Sequence, residues 1–220
     1  RGIKAFGEMT ALHFSFNDKH EYEEVSPDHP LFLLLADLAA KYDIPMDLHM
    51  EAVQSEIPFP AGFDKRSRNN PSSLKPNIPA FEKLLAHNRK ARIVWQHIGW
   101  DNSGHMTVAL LRDLLTKHSN LFLALRLENR PVTMAGTPMP NRLVMPTGSI
   151  KQDWLALFQE FPDRFTTGTD EFCGPENAAG LFGNEQSPQS FKETWEMIFQ
   201  LPLDLRKRIG RENAERIYRM

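Results

Sequence analysis

Three short apolar runs each end in a residue that can bind a metal or carry a proton: IPMDLH at His49, ARIVWQH at His97 and RFTTGTD at Asp170. Imidazole nitrogen and carboxylate oxygen are both zinc-type ligands, so His49 and Asp170 read as metal ligands. A neutral imidazole can polarise a carbonyl or steady a bound water, which suits His97 for acid–base work. Asp170 can also take a proton from water that a metal has acidified. Two protein ligands are too few for a catalytic zinc site, which usually has three and an open position. Glu8, near the end of an earlier strand-like run, is a candidate third ligand, proton shuttle or arginine partner.

Other residues would shape the pocket. Arg126 can grip a substrate carboxylate with two hydrogen bonds, or form an ion pair inside the site. Trp100 and His105 follow His97 in a turn-rich loop, and Phe172 follows Asp170; these read as substrate-binding walls, with Phe59 and Phe63 as further apolar surface. Glu51 stands two positions after His49 and can orient it or another ligand.

For these residues to meet, the runs that carry them must be strands of one parallel sheet. Strand-like runs cover 3–9, 44–49, 91–97, 121–127 and 165–169. Helical patterns fill 28–42, 78–88, 106–117 and 150–161, and more helix follows over 187–199, 202–209 and 212–218. Ser26 and Pro27 read as the start of the first helix, whose leucines Leu31, Leu34, Leu35 and Leu38, with Ala39, form an apolar face. Alternating β and α elements predict a parallel sheet with helical crossovers. Strand ends converge at one face of an α/β barrel, so the expected fold class is α/β, a (β/α)8 barrel with this chain covering strands four to eight. Neither GxGxxG after the first strand nor GxxxxGK[ST] is present, which argues against a nucleotide-binding open sheet. Residues 51–79 hold many prolines and little periodicity, and read as a long loop that covers the site or as an insertion.

Composition narrows the partners. Of the 220 residues, 26 are Lys or Arg and 28 are Asp or Glu, a net charge of −2. That balance carries no electrostatic footprint for nucleic acid or an anionic membrane. No run approaches the ~18 apolar residues of a membrane span. Cys173 is the only cysteine, so no intrachain disulfide forms, which fits a cytoplasmic setting. The expected partner is a small-molecule substrate, with a homo-oligomer as a further option.

With these residues in place, the chain resembles the metal-dependent amidohydrolase superfamily, in its amidohydrolase-related branch of hydrolases, lactonases and nonoxidative decarboxylases. PMDLHMEA resembles the fifth strand, whose histidine binds metal, which gives His49 that role. IVWQHIG resembles the sixth, whose histidine is a second ligand or a polarising group, the two roles open to His97. FTTGTDEF resembles the eighth, whose aspartate binds metal and moves protons, as Asp170 would. GEMT resembles the fourth strand, where Glu8 would replace the lysine or glutamate that bridges metals in two-metal members. ENAERIYR is similar to the final helix, with Asn213 and Ala214 as its packing pair. The first strand of the family carries a His-x-His pair, which this sequence lacks, so strands one to three are expected to lie outside the chain.

The resemblance implies one divalent metal, zinc before manganese or iron. It implies water attack on an amide, ester or lactone. The alternatives are metal-dependent decarboxylation of an aromatic acid and a non-catalytic small-molecule-binding barrel.

Overall fold

A computed structural model describes residues 3–63, 65–127, 139–168, 170 and 187–220. Five parallel strands stand in sequential order: β1 (Phe6–His13), β3 (Met46–Met50), β6 (Ile93–Ile98), β7 (Leu121–Arg126) and β8 (Phe165–Gly168). A short antiparallel strand, β2 (Glu23–Glu24), pairs with the end of β1. The crossovers carry α1 (Pro30–Tyr42), α2 (Ile78–His87), α3 (Val108–Lys117) and α4 (Gln152–Glu160). This is the (β/α) barrel architecture that the alternating pattern predicts, with five of its strands supplied by the chain.

Strand periodicity sorts each strand's residues between two faces. Met46, Leu48 and Met50, with Ile93 and Trp95, lie in the main core under the helices. Asp47 and His49 alternate with them and face the concave side. Val94, Phe122 and Ala124 also face that side, where Ile217 and Tyr218 cover them. Those two belong to α7 (Asn213–Tyr218), reached through α5 (Ser187–Gln200), α6 (Leu203–Lys207) and a π-helical turn, Arg208–Glu212.

Polar contacts fix α7 at the N-terminal end of the sheet. Asn213 Nδ2 donates to the carbonyls of Pro162 and Phe165 at 2.9 and 2.8 Å, at the entry to β8. Arg92 Nε donates to the Ile217 carbonyl at 2.9 Å, and the Tyr218 hydroxyl to Asp47 Oδ1 at 2.8 Å. Asn213 therefore ties the last helix to the sheet, at the end opposite Glu8, His49 and His97.

Several sequence expectations shift. The first strand runs to His13 instead of ending near Glu8, because two register shifts, one between Phe6 and Met9 and one between Thr10 and Leu12, interrupt its alternation. The first helix starts at Pro30, with His29 Nδ1 accepting from Leu31 N at 3.2 Å, so Ser26 is not its cap. Its buried face is Phe32, Ala36 and Ala39, while Leu31 and Leu34 are exposed.

Residues 51–79 form a structured excursion. It contains a small hairpin of β4 (Ile57–Pro58) and β5 (Ser73–Leu74). Phe59 and Phe63 are buried there against Phe14, with ring centroids 4.7 and 5.4 Å away, so they belong to the core and not to a pocket wall. Asn70 ties the excursion to the loop after β1 by bonding Ser15 N and O at 2.8 and 2.9 Å.

Candidate metal centre

Glu8, His49 and His97 come from three adjacent strands, and one ligand atom of each lies within 4.8 Å of the others. Glu8 stands where β1 takes an extra residue against β3, between the Phe6↔Met46 and Met9↔Leu48 pairs. His97 stands where β6 gains one against β7, between Trp95↔Leu123 and Ile98↔Leu125. Bulges of this kind re-aim side chains. His97 also has φ 61°, and Asp170 φ 53°, both in the left-handed region that side chains larger than glycine seldom occupy. Neither bulges nor dihedrals leave a mark on a hydrophobicity pattern.

The contacts are short and mutual. Glu8 Oε1 lies 2.7 Å from His49 Nδ1 and 3.3 Å from His97 Nε2. The two imidazoles meet edge to face at 4.7 Å. Asp170 Oδ1 is 3.7 Å from His97 Nε2, and its Oδ2 pairs with Arg126 Nη1 at 2.8 Å. Arg126 in turn stacks over the Trp100 ring at 4.3 Å. Asp170 thus sits beside the three donors, between His97 and the guanidinium.

Protonation states suit a cation. Burial pushes the Glu8 carboxyl up, but the His49 hydrogen bond and the His97 and His49 charges outweigh it and hold it below the usual range. Burial, reinforced by the neighbouring His49, pushes His97 down to about 3, against the pull of Glu8. Metals need deprotonated ligands, and here the carboxylate is ionised and the His97 imidazole neutral near pH 7. The donor set therefore fits a divalent ion. Glu8 can serve as a ligand, or as the acceptor that fixes His49 so that Nε2 faces the ion.

The other expected residues fall around this group. Trp100 is buried beneath Arg126. His105 is engaged elsewhere: its Nδ1 accepts from Gln54 N at 2.8 Å and its carbonyl from Gln54 Nε2 at 2.9 Å. Glu51 accepts from Asn102 Nδ2 at 2.6 Å, which joins the exit of β3 to the loop after β6, and burial pushes its carboxyl up to about 7. In that loop Asp101 gathers the amides of Ser103, Gly104 and Met106 and the side chain of Asn141. Phe172 and Cys173 lie outside the described residues. The sequence reading missed His13, whose ring packs against His49 at 4.6 Å. His13 lies in the apolar run MTALHF, but two register shifts ahead of it hide its face from a period-two reading.

No protein-family model matches the chain, and no curated protein matches it significantly. Solved structures do. A dihydroorotase from Campylobacter jejuni is 18% identical, with TM-score 0.54, over 96% of this chain and 57% of that one. A 2,6-dihydroxybenzoate decarboxylase, solved with 2,6-dihydroxybenzoate, is 14% identical, with TM-score 0.50, over 96% of this chain and 61% of that one. The chain spans less than two thirds of either. It shares with them a (β/α)-barrel fold, and its cluster of metal-type donors sits on that fold. No helix among the described residues is long and apolar enough to cross a membrane.

Proposed function

We propose that the protein is a metal-dependent enzyme that removes carbon dioxide, without oxidation, from an aromatic acid. The observation that carries this reading is Arg126, stacked on Trp100 and paired with Asp170 beside a metal-fitting triad. A site that sets a rigid guanidinium next to a cation position suits a substrate with a carboxylate. The likeness to a decarboxylase of the same fold supports it.

A bound divalent ion, zinc before manganese or iron, would supply Lewis acidity and fixed positive charge for the substrate's oxygens. Glu8, His49 and His97 would hold it. The incoming carboxylate takes the Arg126 fork and displaces Asp170, which, freed of that pair, takes a proton from solvent. Asp170 delivers that proton to the ring carbon that bears the carboxylate. A C–H bond forms there, the bond to the carboxylate carbon breaks, its electron pair returns to the ring, and carbon dioxide leaves. Solvent then reprotonates Asp170. His97, held neutral, adds no charge of its own to the site.

Metal-loaded protein incubated with a panel of hydroxybenzoates tests this reading. Carbon dioxide release, with solvent deuterium entering the ring and loss of both in Asp170→Asn, is the expected result. A panel without release, beside turnover of an amide, ester or lactone, would replace it with hydrolysis. One observation favours that second reading: Asp170 Oδ1 lies 3.7 Å from His97 Nε2, beside the metal-type donors, where a carboxylate could take a proton from an attacking water.

A further inference from the structure

The sheet brings a third imidazole to the same mouth. Thr10 pairs with His49, and Leu12 with Met50, so Leu12 shares the helix-covered face and His13 turns inward beyond Thr10. His13 packs on His49 at 4.6 Å, and on its other side it meets His20 at 4.8 Å and the edge of Phe16 at 5.1 Å. With His49 and His97 at 4.7 Å, four imidazoles form an unbroken row. His20 is held by its backbone, since its carbonyl accepts from Asn69 Nδ2 at 3.0 Å and from Ser15 Oγ.

This end of the row has unused hydrogen-bonding capacity. The Nδ1 atoms of His13 and His20 are buried and have no partner in the protein. Native structures rarely leave buried polar atoms so, and the exceptions call for an explanation. Among the described residues, no ion pair reaches either ring; the charge of Arg126 is felt at His13, and no carboxylate pairs with either imidazole. Arg126 is on β7, separated from β1 by β3 and β6, with the triad between them.

We propose that His13 and His20 form a subsite for an uncharged, hydrogen-bonding oxygen of the substrate, a ring hydroxyl remote from the carboxylate. The inference rests on the acid-binding reading above. A neutral imidazole donates one hydrogen bond and accepts another, as a hydroxyl does. The flat rings of His13 and His20 and the edge of Phe16 suit an aromatic ring. A subsite built to bond a hydroxyl rejects the analogue that lacks it, because its own polar atoms then stay unpaired.

The test is calorimetric titration of the metal-loaded full chain with benzoate, 3-hydroxybenzoate and 4-hydroxybenzoate. The wild type is expected to bind one hydroxybenzoate about 10-fold tighter than benzoate. That ratio should fall to about one in His13→Phe, fall partly in His20→Phe, and survive in His13→Gln, whose amide still donates and accepts. Arg126→Gln should weaken all three ligands alike. A wild type without hydroxyl preference, or a preference intact in both phenylalanine variants, overturns the subsite. Benzoate binding that Arg126→Gln leaves unchanged overturns the acid-binding reading beneath it, whatever the hydroxyl ratio does.

Discussion

The Glu8 carboxylate and the His49 imidazole meet at 2.7 Å across the β1–β3 pair, although Glu8 stands in a bulge and His49 in regular strand. The bulge lets a residue from β1 reach the level of the β3 ligand, while the same oxygen stays 3.3 Å from His97 Nε2. The three donors thus depend on one another, and removing one changes the remaining two.

Metal content should follow that dependence. We expect about one zinc, manganese or iron per native chain, and none retained in His49→Ala. Glu8→Gln keeps size and hydrogen bonding but loses the charge, and should weaken metal affinity by about 10–100-fold, the range seen when a partner of a ligand is removed. Plasma mass spectrometry after dialysis against graded chelator measures both. Full occupancy in His49→Ala would place the ion elsewhere.

The strand-end histidines were legible because two physical signals coincide in them. Apolar runs of strand length mark the sheet, and a polar residue closing such a run lands at the mouth; His49 and His97 both obey. His13 was not legible, because two register shifts break the alternation of β1, and a period of two cannot be followed across an inserted residue. Helix α1 failed in another way: Leu31, Phe32, Leu33, Leu34 and Leu35 are all apolar, so periodicity alone could not choose which side is buried. Packing chose Phe32, Ala36 and Ala39, whose two alanines let the helix approach the sheet closely.

Stability should depend on pH through Asp47. Burial pushes this carboxyl from 3.8 up to about 6, against the Tyr218 hydrogen bond and with help from the Glu8 charge. A carboxyl raised on folding contributes stability that is fully present below its unfolded value and lost as pH rises through its folded one. Asp47→Asn removes the charge and keeps an acceptor for Tyr218. In chelated protein the variant should match wild type near pH 4 and exceed it by on the order of 1–3 kcal/mol at pH 8. Urea denaturation at both pH values checks this, and equal stability at pH 8 would sink it.

Asn213 should matter for folding and not for the metal. It is buried, and its amide serves two carbonyls at the entry to β8. Truncation to alanine leaves both without that donor, at a cost of about 2–3 kcal/mol. For a chain of this size, that lowers the melting temperature by roughly 4–12 °C. Metal per folded chain should stay at the wild-type level, so scanning calorimetry and metal analysis on the same sample separate the two effects.

Arg126 gives the sharpest test of how the site reads its ligand. Its guanidinium is held on two sides, by the Trp100 face at 4.3 Å and by Asp170 Oδ2 at 2.8 Å. Lysine keeps the charge but loses the planar fork and the stacking geometry. If a substrate carboxylate takes the fork, Arg126→Lys should lose one charge-assisted hydrogen bond, about 1.5–3 kcal/mol, or roughly 10–150-fold in affinity for a benzoate-type acid. Trp100→Leu removes only the cation–π support and should cost less, about 0.5–2 kcal/mol. Because substrate must displace Asp170 from Arg126, the Arg126→Lys penalty should grow in an Asp170→Asn background, where no competing pair offsets the gain from the fork. A double-mutant cycle on benzoate affinity measures this coupling. Strict additivity would mean that Arg126 and Asp170 act independently, and the displacement of one from the other by substrate would have to be abandoned.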